Sequence, residues 1–283
     1  MKINWHDQIC EKMTVNEKNG VTYLTYPELD GLKEYVHCFS TRLGGVSEGI
    51  YQSMNLSFTR GDREEAVREN YRRIADALGF LPEDIVTSDQ THTTNVQVVT
   101  EVDRGCGVTR PRQFKDVDGM VTNVPGIVLA TFYADCVPLY FIDSENKAIG
   151  LSHSGWRGTA GRMGAATMKK MEEEYGSRPS ELYAAIGPSI CQKCYEVSED
   201  VIREFQKAFS EEYWGSLFYE KPNGKYQLDL WQANRIVLIE AGIPQNHIFL
   251  PNLCTCCNPD FLFSHRASHG KRGNLGAFLG IRP

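Results

Sequence analysis

Two apolar runs, residues 126–134 and 137–142, are parted only by the polar pair Asp135-Cys136. Neither approaches the ~20 consecutive apolar residues of a membrane-spanning helix. Their length and their content of Val, Ile, Phe and Tyr fit buried strands instead. The chain is therefore expected to wrap a core around them, with a reactive residue type, cysteine, at the polar break. Similar runs surround this pair. Tyr35–Ser40, residues 95–100, Gly119–Thr122, residues 148–152, 182–186 and 248–250 read as strands. Glu64–Leu78 places Ala66, Val67, Tyr71, Ile74, Ala75 and Leu78 on one helical face and stops at Gly79. Further helices are expected over 159–174, 201–209 and 229–241.

Strands and helices mix without strict alternation, which favours an α+β fold over a doubly wound sheet. No repeat or low-complexity linker divides the 283 residues. The expectation is one domain over 1–283, with mixed β-sheets flanked by helices. Hydrophobic residues at 41% and charged residues at 23% suit a globular chain and exclude a disordered one or a coiled-coil rod. The net charge of −6 argues against a surface that coats nucleic acid, though a few arginines could still hold one phosphate. Residues Met1 to Asp7 are polar where a secretory leader is apolar. With nine cysteines, that implies reduced thiols and a cytoplasmic location. The sequence sets no oligomeric state.

Four groups of residues could carry chemistry. His92 in Asp89-Gln90-Thr91-His92, Cys136 in Ala134-Asp135-Cys136, and His153 in Ser152-His153-Ser154-Gly155 sit at or beside strand ends. Imidazole and thiolate are zinc ligands, and a catalytic zinc keeps three of them and one open position. A small buried cysteine with two hydrogen-bonded histidines is the alternative. The turn at 155–161 opens a helix and carries Arg157, so it could bind an anion, or it could be a tight turn that needs glycine. Arg42 beside Gly44-Gly45 is a candidate anion contact or a solvated loop residue. Ser264-His265-Arg266 and Lys271-Arg272-Gly273 have similar potential. Trp156 suits the core better than ligand stacking. Cys191 and Cys194, with Cys254, Cys256 and Cys257, have spacings that could hold a structural zinc. No zinc-ribbon knuckle surrounds them, which favours buried, reduced thiols in turns.

Taken in order, Thr41-Arg42-Leu43-Gly44-Gly45-Val46-Ser47, Asp89-Gln90-Thr91-His92, Ala134-Asp135-Cys136-Val137-Pro138, His153-Ser154-Gly155-Trp156-Arg157-Gly158, Ile186-Gly187-Pro188-Ser189-Ile190 and Cys254-Thr255 resemble the bacterial YfiH/YlmD-type family. That family was long called multicopper polyphenol oxidases or laccase-domain proteins. It is now understood as purine nucleoside phosphorylases with adenosine deaminase activity. The resemblance runs from about residue 36 to residue 280. It implies a zinc site made by His92, Cys136 and His153, with copper as an opportunistic occupant. It also implies purine nucleosides (adenosine, inosine, guanosine or methylthioadenosine) and phosphate as substrates. Arg42, Gly44 and Gly45 would line the nucleoside pocket, and Arg42 or Arg157 would position phosphate. Asp135, beside Cys136, would shuttle the proton in deamination or cap its turn. The family's Thr-Gly-Arg segment lacks its threonine here, in the stretch from Ser264 to Gly273.

Other readings keep the same residues. Cys136 with His153 or His92 could form a metal-free Cys–His hydrolase. A copper phenol oxidase would need more ligands than seven histidines supply. A non-enzymatic regulator would bind ligand without turnover.

Overall fold

The structure, a computed structural model, describes residues 2–6 and 12–283. In chain order it comprises β1 (Thr14–Lys18), β2 (Val21–Thr25), β3 (Tyr35–Ser40), helix α1 (Glu64–Leu78), β4 (Ile85–Thr87), β5 (Val96–Val98), β6 (Gly119–Thr122), β7 (Val128–Tyr133), β8 (Val137–Asp143) and β9 (Ala148–Ser154). Then come α2 (Trp156–Ala160), α3 (Met163–Tyr175), β10 (Tyr183–Ile186), β11 (Glu196–Val197), α4 (Glu199–Ala208), α5 (Glu211–Leu217), β12 (Phe218–Glu220), β13 (Tyr226–Leu228), α6 (Leu230–Glu240), β14 (Ile248–Phe249) and β15 (Leu275–Ile281). One six-stranded sheet runs β1-β2-β3-β15-β7-β4 and a second β14-β10-β8-β9-β6-β5. A small sheet, β11-β13-β12, lies apart from both orders. The fold is α+β, as the sequence implies.

Side chains alternate across a strand, and the layers follow from that alternation. Phe39, Leu129, Tyr133, Ala277 and Leu279 of the first sheet meet Met120, Tyr140, Ile142, Ile149 and Leu151 of the second. The intervening residues point outward. Val36, Cys38, Val128, Ala130 and Phe278 pack on Val67, Tyr71, Ile74 and Leu78 of α1. On the far side, Val137, Leu139 and Phe141 pack with residues of α3, α4 and α6. The result is four layers, helix–sheet–sheet–helix, with both central sheets covered twice. That is why β7 and β8 are apolar at successive positions.

Three tyrosines in this interior satisfy their hydroxyls across the two sheets. Tyr35 donates to the Asp143 carbonyl (3.1 Å), Tyr140 to Cys38 (2.8 Å) and Tyr133 to Ser152 (2.9 Å).

Helix α1 has the bounds its spacing implies. The helix expected over 159–174 begins earlier and is broken, because Arg162 takes a left-handed conformation (φ 64°) between α2 and α3. Arg162 is held there by the Ala208 carbonyl and Glu240. Strands β1, β2, β4, β11, β12, β13 and β15 and helix α5 are additions to the elements read from sequence. β15 contains Gly276 and Gly280, which weaken a strand signal. A side chain at 276 would collide with Phe278 and Leu56. The eight described cysteines are all free, and Cys10 lies outside the described residues.

Candidate metal centre and substrate cleft

The β8–β9 register places Pro138 opposite His153 and Val137 opposite Ser154. Cys136, at the head of β8, therefore meets the end of β9. The break before it is a sharp one: Asp135 has φ 91°. His92 reaches the same point from a loop pinned at each residue. Asp89 pairs with Arg112 (2.7 Å), and the Gln90 amide exchanges two hydrogen bonds with the backbone of Phe132. The Thr91 and Thr93 N–H groups donate to Asp118 Oδ2 at 3.1 and 2.7 Å. His92 itself is held at φ 67°. The ligand atoms of His92, Cys136 and His153 all lie within 4.8 Å of one another.

Asp118, fully buried just before β6, organises this centre. Its Oδ1 lies 2.8 Å from His153 Nδ1, and its backbone carbonyl accepts from the His153 N–H. That leaves His153 Nε2 as the ligating nitrogen, in the carboxylate–histidine arrangement typical of metal sites. Burial raises the Asp118 carboxyl, but His153 and the two threonine N–H groups outweigh it and hold it below its usual range. Burial likewise opposes ionisation of Cys136, yet His153 and His92 bring the thiol down to about 6. His153 rises to about 9: burial lowers it, while the Cys136 charge and the Asp118 bond prevail. The environment thus favours the thiolate, the form that binds metal. Gly155 closes the centre from below. A Cβ there would sit 3.0 Å from His92 Cδ2 and 3.1 Å from Cys136 Sγ, so the close approach of this turn requires glycine.

The centre opens on a cavity of about 220 Å³. Arg60, Arg112 and Arg272 line it together with the triad. Arg272 is largely buried and is pushed down to about 10, by burial first and then by repulsion from Arg60. The Nε–H groups of Arg112 and Arg272 are buried with no hydrogen-bond partner among the described residues. Buried orphan donors of this kind call for an acceptor, and an anion supplies one.

The structure brings the expected metal ligands together but not the expected substrate contacts. Arg42 spends its guanidinium on the Gln52 carbonyl (2.8 Å) and the Pro259 carbonyl (2.6 Å), over the Phe263 ring. Gly44 and Gly45 abut the backbones of Gly20 and Ser53. Arg157 stacks on Trp156, 4.3 Å from the ring centroid, in a surface groove shared with α4. None of the four is among the residues lining the cleft. Asp135 accepts from the Thr255 hydroxyl (2.6 Å) and the Arg266 N–H (2.7 Å), which is the turn-capping alternative.

Sequence reasoning passed over Asp118, Arg60 and Arg112. A carboxylate directly before a strand, in Val117-Asp118-Gly119, was the available signal for the first. The two arginines lie in loops and carry none.

Residues 36–282 match the family model described as multi-copper polyphenol oxidoreductase laccase. Purine nucleoside phosphorylase YlmD of Bacillus subtilis (strain 168) is 36% identical over 254 residues, 88% of this chain and 90% of that protein. A protein named adenosine deaminase RL5, from an unknown prokaryotic organism, is 36% identical over 236 residues, 82% of this chain and 89% of its own. The crystal structure of YlmD from Geobacillus stearothermophilus superposes with a TM-score of 0.87 at 36% identity, covering 95% of this chain and 98% of that one. With its ordered motifs, its fold and its His–Cys–His centre on the same scaffold, the chain belongs to the YfiH/YlmD family of enzymes, the multi-copper polyphenol oxidoreductase laccase family by the description of its model.

Proposed function

We propose that this protein is a zinc-dependent purine nucleoside phosphorylase that also deaminates adenosine. The observation that carries the reading is the pairing, in one cleft, of a His–Cys–His ligand set with three arginines, two of which hold buried unpartnered N–H groups. The names of the relatives supply the purine chemistry.

His92, Cys136 and His153 would hold the ion, and the donor set fits zinc, with one position left for substrate or water. When bound, zinc supplies Lewis-acid polarisation of an oxygen nucleophile or of the substrate. Such donor sets generally bind copper more tightly than zinc, so copper is an opportunistic occupant. Asp118 fixes the His153 tautomer. Arg60, Arg112 and Arg272 take the role expected of Arg42 and Arg157 and orient phosphate. A phosphate oxygen bonds to the sugar C1′ as the C1′–N9 bond breaks. The bonding pair leaves with the purine, which takes up a proton. In deamination, water adds at purine C6 and ammonia departs. Asp135 acts through the turn it caps, as a positioning residue for Cys136. Adenosine, inosine, guanosine and methylthioadenosine are the candidate substrates. Reduced thiols fit a cytoplasmic enzyme.

The test is incubation of the protein with these nucleosides, with and without phosphate, and separation of the products. Phosphate-dependent release of base and sugar 1-phosphate is expected, with inosine formed from adenosine. Absence of both products overturns the reading. A second reading rests on the ionised Cys136–His153 pair, which suits a metal-free Cys–His hydrolase. Nucleoside turnover that survives complete metal removal would favour it. The description of the family model raises phenol oxidation. Oxygen-consuming oxidation of phenols by copper-loaded protein, with zinc-loaded protein inert on adenosine, would favour that activity.

A further inference from the structure

We propose a second, structural zinc site held by His6, Cys191, Cys254 and Cys257. The ligand atoms of these four side chains all lie within 4.8 Å of one another. Tetrahedral zinc, with Zn–S near ~2.3 Å and Zn–N near ~2.0 Å, wants its donors about 3.3–3.8 Å apart. A small inward movement of the side chains closes the site. Three cysteines and a histidine complete the coordination, which makes the site closed and structural rather than catalytic.

The ligands come from three separate segments that the backbone has already tied together. An isolated bridge pairs Ser189 with Cys254, and the Thr255 N–H donates to the Ser189 carbonyl (3.1 Å). This fixes the turn bearing Cys191 beside the one bearing Cys254 and Cys257. The Cys191 N–H donates to Cys254 Sγ at 3.3 Å, an N–H···S contact that stabilises a thiolate ligand. The third segment is the N-terminal strap. Trp5 bridges to Leu253, the His6 N–H donates to the Asn252 carbonyl (2.8 Å), and Asn4 exchanges backbone hydrogen bonds with the Asn258 side chain at 2.7 and 3.0 Å. The His6 ring stands edge-on to Trp231, whose indole N–H is fixed by Ser189 Oγ (2.6 Å). So an imidazole from the far end of the chain is strapped and oriented over three thiols.

The missing zinc-ribbon knuckle, which favoured plain buried thiols in the sequence, loses its weight here. Paired loops and the strap do the work that a knuckle does elsewhere. Cys194, with its sulfur 3.5 Å from that of Cys257, lies beside the four. The site adjoins the catalytic loop, because Thr255, between two of these cysteines in sequence, donates to Asp135. It does not depend on the proposed activity.

The experiment measures zinc in the full-length protein purified without added metal, and reads no activity. Two zinc ions per chain are expected, and one in Cys136→Ala. X-ray absorption of the remaining ion should show three sulfur ligands and one nitrogen. A second measurement needs no variant: alkylation of the wild-type protein, followed by peptide mass analysis. Cys191, Cys254 and Cys257 should resist alkylation until a zinc chelator is added. No zinc in folded Cys136→Ala, an all-sulfur or sulfur-free shell, a Cys194–Cys257 disulfide, or alkylation indifferent to chelator would each overturn the site.

Discussion

A carboxylate at zero exposure must spend its lone pairs on donors, and Asp118 spends them on the loop that carries His92 and on His153 at the end of β9. Asp118→Asn keeps the size but puts an amide beside His153 Nδ1, where the wrong tautomer then competes. Zinc affinity should fall about 10–100-fold, as for other partners of metal-binding histidines. Competition with a chromogenic chelator reads this, and an unchanged circular dichroism spectrum separates it from unfolding. Arg272→Gln tests the anion end of the same cleft. Loss of a charge-assisted hydrogen bond costs about 1.5–3 kcal/mol, so the KM for phosphate should rise roughly 10–100-fold with zinc content intact. These residues also mark the limit of what sequence discloses. Imidazoles and a thiol at strand ends are conspicuous, since few roles suit them. Arginines are common on any surface: Arg272 lies in a stretch that the sequence marks as a candidate anion contact, whereas only a buried, unpartnered Nε–H sets Arg112 apart.

Helix α1 does more than cover the first sheet. Its fully buried Asn70 accepts from the Val46 N–H (2.8 Å) and donates to Ser47 Oγ and to the carbonyls of Ser53 and Asn55. Tyr71, on the next position, donates to the Leu56 carbonyl (2.9 Å). The two side chains hold the long loop that leads to Arg60. Asn70→Ala leaves several buried polar groups without partners, and stability in urea should drop by about 2–4 kcal/mol. The KM for phosphate should rise as well, because Arg60 loses its mounting. Legibility differs among elements for physical reasons. α1 is amphipathic and glycine-capped, so its spacing reveals both ends. α2 and α3 share one apolar pattern, and their separation is decided by contacts of Arg162 with distant Ala208 and Glu240. The resemblance to the family implies that Gly44 and Gly45 line the nucleoside pocket. What approaches them is the protein's own backbone.

The two-sheet interior sets how the whole molecule responds to acid. His37 faces inward from β3, almost fully buried, with Nε2 accepting from the Tyr26 N–H (2.8 Å). Burial drives it down to about 4. The native state therefore refuses a proton that the unfolded chain accepts near pH 6.5. This contribution is constant above pH 6.5 and is lost as pH falls from there towards 4, by about 3 kcal/mol in all. Urea unfolding across that window should show the loss, and His37→Gln should flatten it by the same amount. The four-layer arrangement was only half visible beforehand: apolar runs announce double coverage, but pairing partners far apart in sequence leave no local trace.

β15 is the extreme case, sitting between β3 and β7, with the Gly276 N–H bonded to Ser40 Oγ across 236 positions. A chain emerging from the ribosome thus exposes β3 and β7 long before the strand that joins them exists. Until then both present open backbone edges and bare apolar faces, the features that invite pairing with other chains. Successful synthesis of this protein depends on keeping that gap unfilled by strangers, so its yield in a cell should follow chaperone supply during translation more closely than the stability of the finished molecule.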